Sequence, residues 1–340
     1  MSNSAGDDRL NIRQVAALAG VSHMTVSRVL NGSPNIRPET RERVLAIIEE
    51  VKYRPNSAAR ALATKRSNRI GVIVDSAVEY GPNSTLRAIE QAAREAGYSV
   101  SSVALGDPNG LSTSDAVDHL THQGIDALCV IAPRSSSVDA LRELSTGIPI
   151  LVVKAASDKR FLTVSVDQRR GAVLATQHLI DLGHREIIHV AGPLDWLDAR
   201  ERERAWATTM KAAELRVRPA VVGDWTSDFG YDFAKSFGAK PDFTAIFAAN
   251  DQMALGLLHG LRDRQIDVPG DVSVIGFDDL PDARHFMPPL TTIRQDFHIL
   301  GIRAMEVLRG ALDGDRPTRG FQIAPELIVR ESTAPAKRRR

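Results

Sequence analysis

Asn11-Ile-Arg-Gln-Val-Ala-Ala-Leu-Ala-Gly20-Val-Ser-His-Met-Thr-Val-Ser-Arg-Val-Leu-Asn31 reads as two short helices broken by a tight turn at Gly20. Asn11 can cap the first helix by accepting from an early backbone N–H, and Gln14 can reach back to complete a capping box. Val15, Leu18 and Ala19 recur at helical spacing. Gly20 has the backbone freedom that ends the helix, and Ser22 is a good cap for the next. In that second helix Val26, Val29 and Leu30 face inward, which turns His23, Met24, Ser27 and Arg28 outward. A helix, a glycine turn and a second helix with a basic outer face form the helix-turn-helix pattern.

Charge separates this pattern from a small helical bundle. Residues 1–70 carry 12 Lys+Arg against 6 Asp+Glu, a balance of +6, while the rest of the chain balances at −5. Positive charge gathered at one end is what contact with a phosphate backbone requires. A third helix begins at Pro38, where a missing N–H costs nothing. Arg37 stands before it, where a capping side chain is the usual choice. Val44, Leu45, Ile48 and Val51 give this helix an apolar stripe that is expected to close a core with Val15, Leu18 and Val26.

Four stretches in fixed order, Gln14-Val-Ala-Ala-Leu-Ala-Gly-Val-Ser22, Thr25-Val-Ser-Arg-Val-Leu-Asn31, Thr40-Arg-Glu-Arg-Val44 and Tyr53-Arg-Pro-Asn56, closely resemble the DNA-binding region of the lactose-repressor (LacI/GalR) family. The resemblance continues, less densely, to about residue 333. It implies a DNA-facing set of Ser22, His23, Met24, Thr25, Ser27, Arg28 and Asn31. Residues 55–66, an Ala-rich run starting at Pro55 and Asn56, are too short for a stable isolated helix and read alone as a linker. By resemblance they form a hinge that becomes helical when two copies meet on DNA, with Leu62 wedged into the minor groove.

From Ile70 the period changes. Strand-like runs at 70–74, 99–104, 127–131 and 148–153 alternate with helical ones at 85–96 and 114–123. After Asp167 the alternation restarts, with strands at 187–191, 220–223, 244–248 and 272–276 between helices. Two such series imply two Rossmann-like lobes built on parallel sheets. The fold class is therefore α/β: an N-terminal three-helix helix-turn-helix domain (1–54), a hinge (55–66) and a core (67–333). The resemblance implies that the core is two-lobed and periplasmic-binding-protein-like, with ligand in the cleft. It divides the lobes roughly as 67–166 with 297–320, and 167–296 with 321–333. The basic tail 334–340 reads as disordered and lacks the leucine heptads that the resemblance implies for tetrameric members, so a homodimer is expected.

Composition bounds the alternatives. At 340 residues and 43% hydrophobic content the chain has ample material for a large core. No apolar run approaches the ~20 residues of a membrane span. The first residues lack the order of a signal peptide, so a cytoplasmic protein is expected. The single cysteine, Cys129, sits inside Ala127-Leu-Cys-Val-Ile131 and reads as a buried strand residue. The nine histidines are scattered without metal or catalytic spacing, and His184 and His189 read as a helix-ending turn and a core residue. Neither an enzyme nor a metal or organic cofactor is expected.

The cleft candidates are polar and aromatic residues at strand ends, where open α/β sheets bind ligands. By resemblance, Arg202 in Arg200-Glu-Arg-Glu-Arg204, Asn250 and Asp278 match effector-binding positions. Trp225 offers an apolar ring face, Phe297 is a wall or core residue, and Asp75 and Lys154 end strands of the first lobe. Arginine, carboxylates, an amide and an indole together suit a polyhydroxylated ligand. The expectation is a DNA-binding regulator, acting as a repressor on double-stranded operator DNA and controlled by a small effector of the sugar class. The alternative is a sugar-binding protein of the periplasmic type with no DNA role.

Overall fold

The computed structural model describes residues 10–30, 32–53, 66–75, 79–105, 111–131, 134–154, 160–238, 241–315 and 320–337. The chain divides into two compact units, residues 1–67 and 68–340.

The first unit is three helices, α1 (Ile12–Leu18), α2 (His23–Leu30) and α3 (Pro38–Glu50). The capping box forms as the side chains dictate. Asn11 Oδ1 accepts from the amides of Arg13 and Gln14 at 3.0 and 3.1 Å, and the Asn11 amide donates to Gln14 Oε1 at 2.7 Å. Gly20 ends α1 at φ +62°, and Ser22 Oγ accepts from the Thr25 amide at 3.1 Å. Arg37 makes no side-chain cap to α3.

The core differs from the expected stripe. Val15, Ala16, Ala19, Val26, Val29 and Val44 are buried, but Leu18 is 56% and Leu45 47% exposed. At about 100° per residue, Val15, Ala19 and Ala16 span one arc and Leu18 falls outside it. Small residues let α2 approach α1 along that arc. Leu45 is displaced in the same way from the Val44, Ile48, Val51 arc of α3.

The second unit holds two parallel sheets. The first has spatial order β2-β1-β3-β4-β5-β11, from β1 (Arg69–Val74), β2 (Ser99–Ala104), β3 (Ala127–Ile131), β4 (Ile150–Val153), β5 (Leu162–Val166) and β11 (Phe321–Ile323). Helices α4 (Tyr80–Glu95), α5 (Thr113–His122), α6 (Ser135–Glu143) and α11 (Phe297–Asp313) cover it. The second sheet has order β7-β6-β8-β9, from β6 (Ile187–Ala191), β7 (Val221–Val222), β8 (Ala245–Ala248) and β9 (Ser273–Ile275). It carries α7 (Gln168–Asp181), α8 (Leu197–Ala212), α9 (Ser227–Lys235) and α10 (Asp251–Asp263). A short antiparallel ribbon joins β10 (Thr292–Arg294) to β12 (Glu326–Ile328).

The chain crosses between the lobes after β5, after β10 and after β11. Because Phe321–Ile323 pairs with Val164–Val166 of β5, the last crossing follows Ile323 rather than residue 320. Two elements escape the sequence pattern. The first is α6, which begins on a run of three serines between the strand-like runs 127–131 and 148–153. The second is β5, whose Thr163 and Ser165 are buried because the strand lies between β4 and β11.

Cys129 is buried, and burial pushes its thiol up to about 12, which leaves it unreactive. The first half of the basic tail is bound rather than loose. Ala334 O accepts from His184 Nε2 at 3.0 Å, the Ala336 amide donates to Leu182 O at 2.8 Å, and Lys337 pairs with Asp271 at 3.3 Å. Residues 338–340 lie outside the described residues. No helix among the described residues is long and apolar enough to cross a membrane.

Candidate functional site

On the first unit, α2 presents His23, Met24 and Arg28 to solvent, with Met24 56% exposed. Ser22 is exposed, and its hydroxyl lies 3.0 Å from Thr25 Oγ1, so both are partly spent on the helix start. Thr25 and Ser27 are half-buried at the flank. Arg13, Arg37 and Arg43 of the same unit are also exposed. Of the exposed side chains of α2, Arg28 has the two-donor geometry that matches guanine O6 and N7. Asn31, Asn56 and Leu62 lie outside the described residues.

The second unit contains a cavity of about 630 Å³ of empty space, mouth included, lined from both lobes. Its polar wall is made at strand ends. Lys154 follows β4, Trp225 follows β7, Asn250 follows β8, and Asp278 lies just beyond β9. Arg202 reaches in from α8, and Phe297 from the start of α11. Parallel strands place all their C-terminal ends on one side of each sheet, and that rule brings these residues together.

Four buried side chains form one hydrogen-bond chain. Arg202 Nε donates to Gln168 Oε1 at 2.8 Å, Gln168 Nε2 to Gln295 Oε1 at 2.8 Å, and Gln295 Nε2 to Asp278 Oδ1 at 2.6 Å. Arg202 NH2 stands 4.0 Å from the same oxygen, which closes the ring. Arginine only donates and a carboxylate only accepts, so both glutamine amides are fixed in orientation. Gln168 and Gln295 lie on the first and second crossings, so the ring ties both crossings to the second lobe.

Electrostatics follow from burial. Arg202 stacks on Phe277, its guanidinium carbon 3.8 Å from the ring centroid. Burial pushes the Asp278 carboxyl up to about 6 despite the opposing pull of Arg202 and Gln295. Asp278 also holds φ +117°, backbone strain of a kind that gathers at functional sites.

Asn250 is a helix cap and a brace at once. Its Oδ1 accepts from the Met253 amide at 2.9 Å, and its Nδ2 donates to Trp225 O at 3.0 Å. Trp225, at φ +73°, lies against Gly192, where a Cβ would meet indole carbons at 2.1–2.5 Å. One ring face is thereby covered, and Trp196 meets the indole edge-on at 5.8 Å. Phe297 is both wall and core, since it packs on the first-lobe core and on Tyr80 at 5.8 Å.

Asp75 departs from its expected role. It stays out of the cavity wall, because its carboxylate accepts from the Arg134 amide and from Ser137 Oγ (2.9 Å) at the start of α6. That helix start in turn meets the second lobe. The Ser135 amide donates to Asp195 O at 3.0 Å, Arg134 pairs with Asp195 at 3.5 Å, and Arg200 donates to Ser135 Oγ. His189 is buried, donates Nδ1–H to Phe247 O at 2.9 Å and is pushed down to about 4 by burial, so it is neutral.

Sequence reading missed Gln168, Gln295, Asp198 and Glu79 in the cavity wall. The two glutamines sit on crossings, and nothing in helix or strand periodicity marks a crossing residue. Asp198 was hidden in a charged helix start.

Residues 11–56 match the bacterial regulatory proteins of the lacI family, and residues 176–333 match a periplasmic binding protein-like domain. The chain is 32% identical over 329 residues to the lactose operon repressor of Escherichia coli K12, covering 95% of this chain and 90% of that one. It is 33% identical to catabolite control protein A of Priestia megaterium, covering 95% and 99% of the two chains. Among solved structures, the lac repressor dimer bound to operator and the anti-inducer ONPF superposes with a TM-score of 0.85 at 31% identity, over 96% of this chain and 100% of that one. A complex of the transcriptional regulator CelR with cellobiose superposes with a TM-score of 0.71 at 29% identity, over 95% and 100%. With a solvent-facing reader helix in one unit and a two-lobed binding cavity in the other, the chain belongs to the lacI family of bacterial regulatory proteins.

Proposed function

We propose that this protein is a cytoplasmic transcriptional repressor that binds a near-palindromic operator as a homodimer and is controlled by a sugar-class effector. The observation that carries this reading is the convergence of Lys154, Arg202, Trp225, Asn250, Asp278 and Phe297 on one cavity, in a chain that also holds the helix-turn-helix unit. A polyhydroxylated ligand can accept from cationic groups and donate to carboxylates in the same site. Support comes from the similar structures, in which the lac repressor binds ONPG and CelR binds cellobiose. The working domains are residues 1–54 for DNA, 55–66 as the hinge and 67–333 for effector and partner copy. Asp75 serves to hold α6 rather than to touch the effector.

Effector control requires a ligand with different affinity for two arrangements of the lobes. The crossings carrying Gln168 and Gln295 are where lobe movement is coupled to the ligand ring.

Selection of bound sequences from random duplex DNA with the full chain tests the reading. Enrichment of a two-half-site sequence, followed by a change in its affinity on adding mono- and disaccharides, is the expected result. Failure to enrich any sequence overturns the DNA role. Response only to nucleobases overturns the sugar class.

A further inference from the structure

The cavity wall holds two buried polar atoms, one from each lobe, with no hydrogen-bond partner among the described residues. Trp225 is only 7% exposed, and its Nε1–H meets no acceptor. Glu79 Oε2 is buried and accepts from no donor. Both residues line the same cavity.

Neither atom is orphaned by chance of local structure. Glu79 occupies the N-cap position of α4, yet its side chain makes no cap hydrogen bond to that helix. The carboxylate is therefore not consumed by the one local task its position offers. Trp225 cannot turn its N–H elsewhere. Gly192 closes one ring face, Asn250 holds its carbonyl, and Thr226 is fixed by Asp224 at 2.9 Å. An unsatisfied buried polar group destabilises the protein, and a ligand that meets it removes that cost on binding.

The remaining polar groups restrict the ligand further. Arg202 spends Nε on Gln168 and NH1 on Ala249 O, and its face on Phe277. Its charge is already matched by Asp278, which leaves little for an anion. The charged wall comprises Glu79, Asp198 and Asp278 against Lys154 and Arg202, so negative groups outnumber positive ones.

We infer that the ligand places a hydrogen-bond donor on Glu79 Oε2 and an acceptor on Trp225 Nε1, and that the site selects uncharged polyols over their phosphate esters. This rests on the cavity being the effector site. A hydroxyl both donates and accepts, so a neutral sugar satisfies both atoms. A phosphate ester brings about −1.5 to −2 charges to a wall with an uncompensated carboxylate oxygen, and its dianion has no proton to offer Glu79.

Calorimetry on the full chain tests this with cellobiose, lactose, trehalose and sucrose, each beside its 6-phosphate. At least one neutral sugar is expected to bind at least tenfold more tightly than its ester. Glu79→Gln is expected to weaken that sugar about tenfold and to narrow the gap to the ester. Trp225→Phe, which keeps the ring and removes the N–H, is expected to weaken it similarly. A single cooperative melting transition at or above that of the wild type serves as the check on folding in both variants. An ester binding as tightly as its parent overturns the inference while leaving the sugar reading intact, as does wild-type affinity in both variants. If neither sugars nor esters bind, the sugar reading falls and this inference with it.

Discussion

Gln295 donates to Asp278 at 2.6 Å from the crossing between β10 and α11, so a residue between the lobes holds the carboxylate at the end of the second sheet. Since Gln295 also accepts from Gln168 at 2.8 Å, the two crossings and Arg202 share one set of bonds. A ligand that contacts Arg202 or Asp278 therefore touches the bonds that join the two crossings.

Asp278 should leave a signature in the pH dependence of stability. Its carboxyl is raised from the ordinary 3.8 to about 6, so the folded state holds a proton that the unfolded chain has released. The stability linked to this proton is full below pH ~4 and is lost as pH rises through about 6. Asp278→Asn mimics the protonated form and should flatten this part of the profile. At pH 7 the gain has a ceiling of roughly 3 kcal/mol, while effector binding falls at least tenfold. Denaturant unfolding between pH 4 and 8 checks this, and parallel profiles for the two proteins would contradict it.

Gly192 should prove as important to the cavity as its polar residues. A Cβ there meets Trp225 ring carbons at 2.1–2.5 Å, and the indole has no room to retreat because Asn250 holds its backbone. Gly192→Ala should cost ~1–3 kcal/mol by overpacking and abolish effector binding while operator affinity stays normal. Retained sugar affinity with an unchanged melting temperature would show that Trp225 is free to move.

Arg28 is exposed on the outer face of α2, and it alone among His23, Met24 and Arg28 can grip guanine O6 and N7 with two bonds. Arg28→Ala should cost ~1–3 kcal/mol on the preferred operator and relax one base position. Equal losses on specific and random DNA in gel-shift titrations would assign Arg28 to phosphate alone.

The hinge prediction rests on sequence, since Leu62 lies outside the described residues. Leu62→Ala should lower operator affinity substantially and leave effector affinity in the free protein nearly unchanged. Amides of residues 58–63 should exchange fast in free protein and slowly on operator. Equal protection in the two states would mean a preformed helix and would remove this coupling route.

Local chemistry was enough for the first unit. The capping box of Asn11 and Gln14, the φ > 0 turn at Gly20 and the uncapped start at Arg37 depend on neighbours within four residues, so the linear sequence contains all their causes. The same holds for the strand–helix alternation, whereas Arg202, Asn250 and Asp278 were legible through the family resemblance, and Arg202 reaches the cavity from a helix rather than a strand end. Burial was less local. Leu18 and Leu45 sit at plausible helical positions but lie outside the arcs along which α1, α2 and α3 approach one another.

Only the tertiary structure decided the rest. Asp75 and Lys154 both end first-lobe strands, yet one braces α6 and the other lines the cavity, a difference set by which helix start packs above each strand. Gln168 and Gln295 are 127 residues apart, and their hydrogen bond exists because two crossings run side by side between the lobes. Ala334, read as part of a loose tail, accepts from His184 because the chain returns along the second sheet. Sequence periodicity reports which face of an element is apolar. It does not report which distant segment will supply the partner for a buried polar atom, and in this protein such partners build the effector cavity.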